Sequence, residues 1–171
     1  MVSSLRRSEV FSFPESVNEI AARTVAALVV VLTGAYLLTG SGWLLAILAY
    51  GFVARVFTGP TLSPLGQLAT RVIVPRLGVP ERKVPGPPKR FAQSIGAVLS
   101  LTASALHVSG ASGAALLVVA LIIGAALLEA AFGFCFGCVI FRRLMTAGIV
   151  PESVCAACND LSSRLAPATI R

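Results

Sequence analysis

Every basic residue in this chain can be placed on one side of a membrane. Four apolar segments are read at 20–40, 42–57, 91–109 and 113–141. With the N-terminus inside, Arg6, Arg7 and Arg23 precede or open the first segment on the inner side. Arg55, Arg71, Arg76, Arg82, Lys83, Lys89 and Arg90 cluster around the middle loop, and Arg142, Arg143, Arg164 and Arg171 follow the last segment. The two opposite turns, around Gly40–Gly42 and Ser109–Gly113, carry no charge. Short loops rich in Lys and Arg stay cytoplasmic. The pattern therefore predicts an all-α, polytopic membrane protein with four transmembrane helices and both termini cytoplasmic.

Composition agrees. The chain of 171 residues is 56% hydrophobic and only 12% charged, against about 25% charged in a soluble domain. Its mean hydropathy is +0.88. The net charge of +7 is explained by anionic lipid headgroups beside apolar helices, and no nucleic-acid partner is expected. No cleavable leader is read. The expected domains are a transmembrane unit over 1–145, with a cytoplasmic loop at 58–90, and a cytoplasmic tail over 146–171.

Local signals refine this plan. Ser12 and Glu15 have capping-box spacing, which predicts a helix start at Ser12. Arg23 is expected to snorkel to the headgroups. The second segment is short for a span, about 22 Å against a core of ~30 Å. Arg55 is expected to reach the inner interface or to face the bundle and pair with an acid. Ser63–Pro64 predicts a capped helix start, with Leu65, Leu68, Ala69, Val72 and Ile73 on one face. That gives a short interfacial helix between the second and third spans, limited by Pro75. The stretch 78–88, GVPERKVPGPP, reads as a stiff linker. The only histidine, His107, reads as an interfacial hydrogen-bonding group.

The chemistry concentrates in the fourth segment and the tail. Glu129 lies about 24 Å along a helix counted from Gly113. It is the only acid inside the four apolar segments. A carboxylate at such depth needs a partner or a proton, and is a functional candidate by default. Arg55, Arg90 or a serine are the partners considered. Gly133 and Gly137 read as a G-x-x-x-G helix contact, which also admits a homo-oligomer. Cys135 and Cys138 share a helix face near its C-terminal end, where the dipole opposes a thiolate. Arg142 and Arg143 would have to compensate.

Cys155 and Cys158 repeat the spacing, giving C-x2-C-x16-C-x2-C. That pattern fits a four-thiolate zinc site formed by Cys135, Cys138, Cys155 and Cys158. It also fits thiol–disulfide or sulfane-sulfur exchange, although the spacing alone slightly favours metal, and an iron–sulfur cluster is a further alternative. A permanent structural disulfide is not expected in a reducing cytosol.

The strings 63-SP-64, 87-PPKRFAQ-93 and 128-LEAAFGFCFGC-138 resemble DUF4395, a family of uncharacterised bacterial four-helix membrane proteins, over roughly residues 16 to 145. The resemblance implies a bacterial inner-membrane location and a neighbourhood of thioredoxin-like or rhodanese-like proteins. Cys155 and Cys158 lie outside the family pattern, so a family-wide four-thiolate metal site is disfavoured. The favoured expectation is a cytoplasm-facing thiol or sulfane-sulfur relay in which Cys138 makes first contact and Cys135 resolves. No cofactor is expected in that reading. Cys155, Cys158 and Glu129 complete the candidate site. The alternatives are a zinc-stabilised membrane scaffold and an oligomeric transporter of small sulfur compounds.

Overall fold

The computed structural model describes residues 13–155 and Cys158. The expected cap at Ser12, the termini bearing Arg6, Arg7, Arg164 and Arg171, and most of the tail lie outside the described residues.

Helix α1 (Glu19–Thr39) starts later than the capping box suggested. Asn18 is its N-cap, and its side chain accepts from the Ile20 amide at 2.9 Å. Residues Ser16–Asn18 before it form strand β1, paired antiparallel with β2 (Lys83–Pro85), Val17 opposite Val84. The supposed linker is thus tied to the entry of α1. The Gly86 amide donates to the Glu15 carbonyl at 2.7 Å, and a Cβ at Gly86 would strike the backbone of Pro14 and Glu15.

Three further long or apolar helices complete a bundle: α2 (Gly42–Thr58), α5 (Gly86–Val108) and α6 (Ser112–Phe132). α2 packs chiefly on α5, α5 on α6, and α6 on α1. Small residues make the closest crossing possible: Gly96 on α5 lies against the Phe52 ring of α2, leaving no room for a side chain. Val29, Leu45, Leu48, Val119 and Ile122 fill the centre. At one end, the Tyr36 hydroxyl and His107 Nδ1 lie 3.0 Å apart, linking α1 to α5. That agrees with the hydrogen-bonding role expected of His107.

The outside of the bundle is apolar. Val31, Leu38, Val98, Leu117 and Leu121 are each more than half exposed. A soluble monomer rarely shows such a contiguous apolar surface, whereas lipid solvates it. α1, α5 and α6 are long and apolar enough to cross a membrane, and α2 is a shorter apolar helix of 17 residues. The chain is an all-α, multi-pass membrane protein.

Between α2 and α5 lies a helical run composed of α3 (Pro64–Gln67), a π-helical stretch Leu68–Ile73 and α4 (Val74–Leu77). Ser63 caps it, accepting from the Gly66 amide at 3.3 Å. Pro75 does not stop the helix as expected. The ladder widens into a π turn ahead of it, a known way to absorb a residue lacking an amide donor. Pro87 and Pro88 likewise sit inside α5, within its first turn, where no amide donor is required.

The largest departure is in the fourth segment. It is two helices, α6 and α7 (Phe136–Thr146), broken at 133–135. Gly133 takes φ 69°, and its amide donates to the Glu129 carbonyl at 2.9 Å; Phe134 donates to Leu128 at 3.3 Å. With Gly133 left-handed and its amide bonded four residues back, this is the αL glycine cap. Gly133 and Gly137 therefore do not form one stripe. Gly137 instead packs against Ala92 of α5, where a Cβ would clash with backbone.

Candidate functional site: a dithiol at a helix start

The break at Gly133 changes the chemistry of the first cysteine pair. Cys135 becomes the N-cap of α7 and Cys138 lies in its first turn. The expectation that a helix C-terminus opposes the thiolate is reversed. The pair now sits at the positive end of a helix, with unsatisfied amides nearby. Cys135 is buried and Cys138 half-buried. Their sulfurs are 2.7 Å apart, with the Cys138 thiol donating to Cys135.

This contact divides the roles of the two thiols. The proton donated by Cys138 holds the Cys135 thiol below its ordinary pKa, against the effects of burial and of Glu129, with the nearby Lys89 cation assisting. Cys138 is pushed up, first because its proton is held in that bond and then by burial. Lowered pKa, a helix start and a nearby cation are the features of a reactive cysteine.

Lys89 also answers what Glu129 needs. Its Nζ lies 2.5 Å from Glu129 Oε1, with side-chain exposures of 10% and 17%. The partners considered from sequence, Arg55 and Arg90, are engaged elsewhere. Arg90 donates to the Val56 carbonyl at 3.0 Å. Arg55 faces the bundle, yet its contacts are Gln93 Oε1 at 2.8 Å and Ser63 Oγ at 2.9 Å, with no acid within ion-pair distance among the described residues. Arg23 does not snorkel outward. It donates to the carbonyls of Ala130 and Ala131, at 3.1 and 2.7 Å, and so caps the C-terminus of α6.

Cys155 and Cys158 form a disulfide with Cα atoms 5.3 Å apart. Cys155 is buried and ends a short 3-10 turn, Glu152–Cys155, while Cys158 is half-buried. Cys158, Cys135 and Cys138 line one cavity of about 490 Å³, together with Lys89, Glu19 and Arg142. The structure thus brings both free thiols of the first pair and Cys158 of the disulfide to the same space. In this state the second pair offers no thiolates to a metal. Among the described residues no group of three or more His, Cys, Asp or Glu is arranged to hold one.

Sequence reasoning missed Lys89 as the partner of Glu129 and counted it only among the cations around the middle loop. The signal was its place immediately after Pro87–Pro88, which sets it in the first turn of α5 with a fixed direction.

The family model "Domain of unknown function (DUF4395)" matches residues 17–146, and the chain belongs to that family. The match covers the bundle and the first cysteine pair and stops before Cys155. No curated protein and no solved structure matches the chain.

Proposed function

We propose that this protein is a membrane-embedded thiol–disulfide relay whose two cysteine pairs exchange with one another across the shared cavity. The observation that carries the reading is the convergence of Cys135, Cys138 and Cys158 on that cavity, with one pair reduced and the other oxidised. The Cys135 thiolate attacks Cys158 Sγ; a bond forms between them and the Cys155–Cys158 bond breaks, its electron pair leaving on Cys155, which takes up a proton. Cys138 then loses its proton and attacks Cys135 Sγ. The mixed disulfide breaks and Cys158 leaves as thiolate, to be protonated. Two electrons and two protons pass from the first pair to the second.

This order reverses the expectation that Cys138 makes first contact. Cys135 holds the helix N-cap and receives the hydrogen bond, so it is the better nucleophile, and Cys138 resolves.

In this reading all four apolar helices cross the membrane, α2 with some local thinning, and both termini face the bacterial cytoplasm. The Ser63-capped helix lies along the inner interface. The tail pair then exchanges with a soluble thioredoxin-like protein, docked by the basic inner face. A rhodanese-like donor would use the same thiols for sulfane sulfur. The four-thiolate zinc scaffold requires the tail pair to be reduced and redirected.

The test is a Cys138→Ser, Cys155→Ser double variant, which keeps Cys135 and Cys158 alone. Mild oxidation is expected to join them within one chain, read as a loss of two hydrogens by intact mass and located by peptide mapping. Two persistently free thiols, or dimers linked between chains, would remove the relay.

A further inference from the structure

Arg55 is the least explained group in the bundle. It is 4% exposed, and its Nη2 is buried with no hydrogen-bond partner among the described residues. A buried polar nitrogen without an acceptor is costly, and more so when charged. Yet the guanidinium is held firmly: Nε by Gln93, Nη1 by Ser63, and its face over the Phe52 ring at 4.5 Å. The guanidinium is thus fixed in place, and Nη2 is its one nitrogen left without a partner among the described residues.

Arg55 and Gln93 line an inner cavity of about 140 Å³ between α1, α2, α5, α6 and α7. Its walls are otherwise mostly apolar side chains, with Glu129 and Cys135 as the other polar groups. An apolar cavity of about 150 Å³ holds one benzene ring. Phe136 and Ile140 form one wall and are each more than two-fifths exposed on the apolar outside of the bundle. A ligand dissolved in lipid would enter past these two side chains. Cys135 lines this inner cavity and the outer cavity shared with Cys158.

We infer that the inner cavity binds the ring of a membrane quinone, with one carbonyl oxygen accepting from Arg55 Nη2 and the ring against Cys135, which makes the quinone the membrane-side electron acceptor of the dithiol. The inference deepens the relay reading and rests on it. Thiol–disulfide exchange between the two pairs is reversible; run from a reduced tail pair back to the first pair it recharges Cys135 and Cys138, and a lipid-soluble acceptor gives those electrons an exit. A small anion fits less well. It would shed its water for two donor side chains while facing the Glu129 carboxylate, a heavy desolvation cost. A neutral carbonyl takes one charge-assisted hydrogen bond without that cost.

The chemistry balances. Cys135 Sγ adds to a ring carbon, forming a C–S bond and moving an electron pair to the carbonyl oxygen held by Arg55, which takes up the proton that Cys135 released. Cys138 Sγ, losing its proton, attacks Cys135 Sγ. The S–S bond forms, the C–S bond breaks, and its electron pair stays on the ring, where the second proton completes the quinol. Dithiol plus quinone gives disulfide plus quinol. Arg55 stabilises the developing oxyanion from a fixed position.

The experiment uses the full chain in detergent, reduced, under anaerobic conditions, with a decyl-substituted benzoquinone as probe. Quinol is followed by absorbance and thiols by mass. Reduced in both pairs, the wild-type chain is expected to give two quinols, the Cys155→Ser, Cys158→Ser double variant one, and Cys135→Ser none. Arg55→Gln is expected to raise the half-saturating quinone concentration by about tenfold or more. Should that variant not fold, Ala125→Leu, which fills the cavity wall and keeps Arg55, is expected to do the same. No quinol from wild type, or quinol unaffected in both folded variants, would overturn the inference. So would competition by thiosulfate with no quinone effect, which would assign Arg55 to an anion. The Cys135–Cys158 crosslink needs no quinone. Crosslink without quinol overturns the acceptor alone, and absence of both overturns the relay as well.

Discussion

Lys89 Nζ and Glu129 Oε1 meet at 2.5 Å, joining the first turn of α5 to the last turn of α6 beside the dithiol. The pair is mostly buried, so each charge depends on the other. Removing one leaves a poorly hydrated ion, a loss of roughly 1–3 kcal/mol for groups with some remaining exposure. Glu129→Gln and Lys89→Met are each expected to lower the thermal midpoint in detergent. Joint replacement, Lys89→Met with Glu129→Leu, should recover part of the loss, because neither ion is then stranded. A double variant no more stable than the sum of the singles would show that the two do not act as a pair.

The same two residues set opposite fields at Cys135. Its pKa lies below the ordinary thiol value, first through the Cys138 hydrogen bond, with Lys89 assisting and burial and Glu129 opposing. Below its pKa the group is a protonated, slow thiol; above it, a fast thiolate. Alkylation of Cys135 should therefore rise with pH through a midpoint below the usual ~8.5, and that of Cys138 through one above it. Cys138→Ala and Lys89→Met should both shift the Cys135 midpoint upward, and Glu129→Gln downward. The check is the pH profile of iodoacetamide labelling, read peptide by peptide. Equal midpoints for the two cysteines would remove the division of labour between them.

The membrane character and the helices were legible because hydropathy acts over long stretches. Any ordering of Leu, Val and Ile through 19–39 or 112–132 gives an apolar helix. Local chemistry was legible where one residue decides it, as with Ser63 before Pro64. The break at Gly133 was not, because glycine five residues from Leu128 in an apolar run serves equally as a packing surface or a left-handed cap. What decides is tertiary. Arg23, 107 residues away from Ala130, supplies donors to the carbonyls that the break exposes. No helical period in the segment encodes that. The Lys89–Glu129 pair was hidden for the same reason, since three cations near the inner face compete for one acid and only packing chooses.

Gly133 should not tolerate a side chain. Its φ of 69° is a conformation L-residues adopt at a cost of about 1–2 kcal/mol. An added Cβ would also lie 3.1 Å from Glu19 Oε1. Gly133→Ala is expected to lose stability by about that amount and to slow Cys135 alkylation at neutral pH, because a straightened helix would move Cys135 off its N-cap. Gly148→Ala is the comparison: its φ is 71° and no atom, thiol sulfur included, lies within 4 Å of a Cβ placed there among the described residues. It should lose comparable stability with no change at Cys135. Equal effects on alkylation would mean that stability alone governs the thiol.

The Tyr36–His107 contact is expected to be structural. It joins α1 to α5 at the end of the bundle opposite the cysteines. Tyr36→Phe removes one hydrogen bond and leaves the edge-on ring contact, whose centroids are 5.6 Å apart. The loss should be about 1 kcal/mol, with the Cys135–Cys158 crosslink and the pH profile of Cys135 unchanged. A change in either would mean that the far end of the bundle is coupled to the thiols.

The charge pattern predicts an orientation that can be tested separately. The turns at Gly40–Gly42 and Ser109–Gly113 have no charged residue, whereas Arg71, Arg76, Arg82, Lys83, Lys89 and Arg90 crowd the single intervening loop region. Moving that many cations across a bilayer is opposed at every step, so the loop and the thiols beside it should remain cytoplasmic. A membrane-impermeant maleimide applied to intact spheroplasts, with their tail disulfide first reduced by a permeant phosphine, should label no cysteine. Permeabilisation should then expose Cys138 and Cys158 before the more buried Cys135 and Cys155. As a positive control, a cysteine placed at Ser41, in the uncharged turn, should label from outside without permeabilisation. Outside labelling of Cys158 with none at position 41 would invert the topology and place the relay in the oxidising compartment instead.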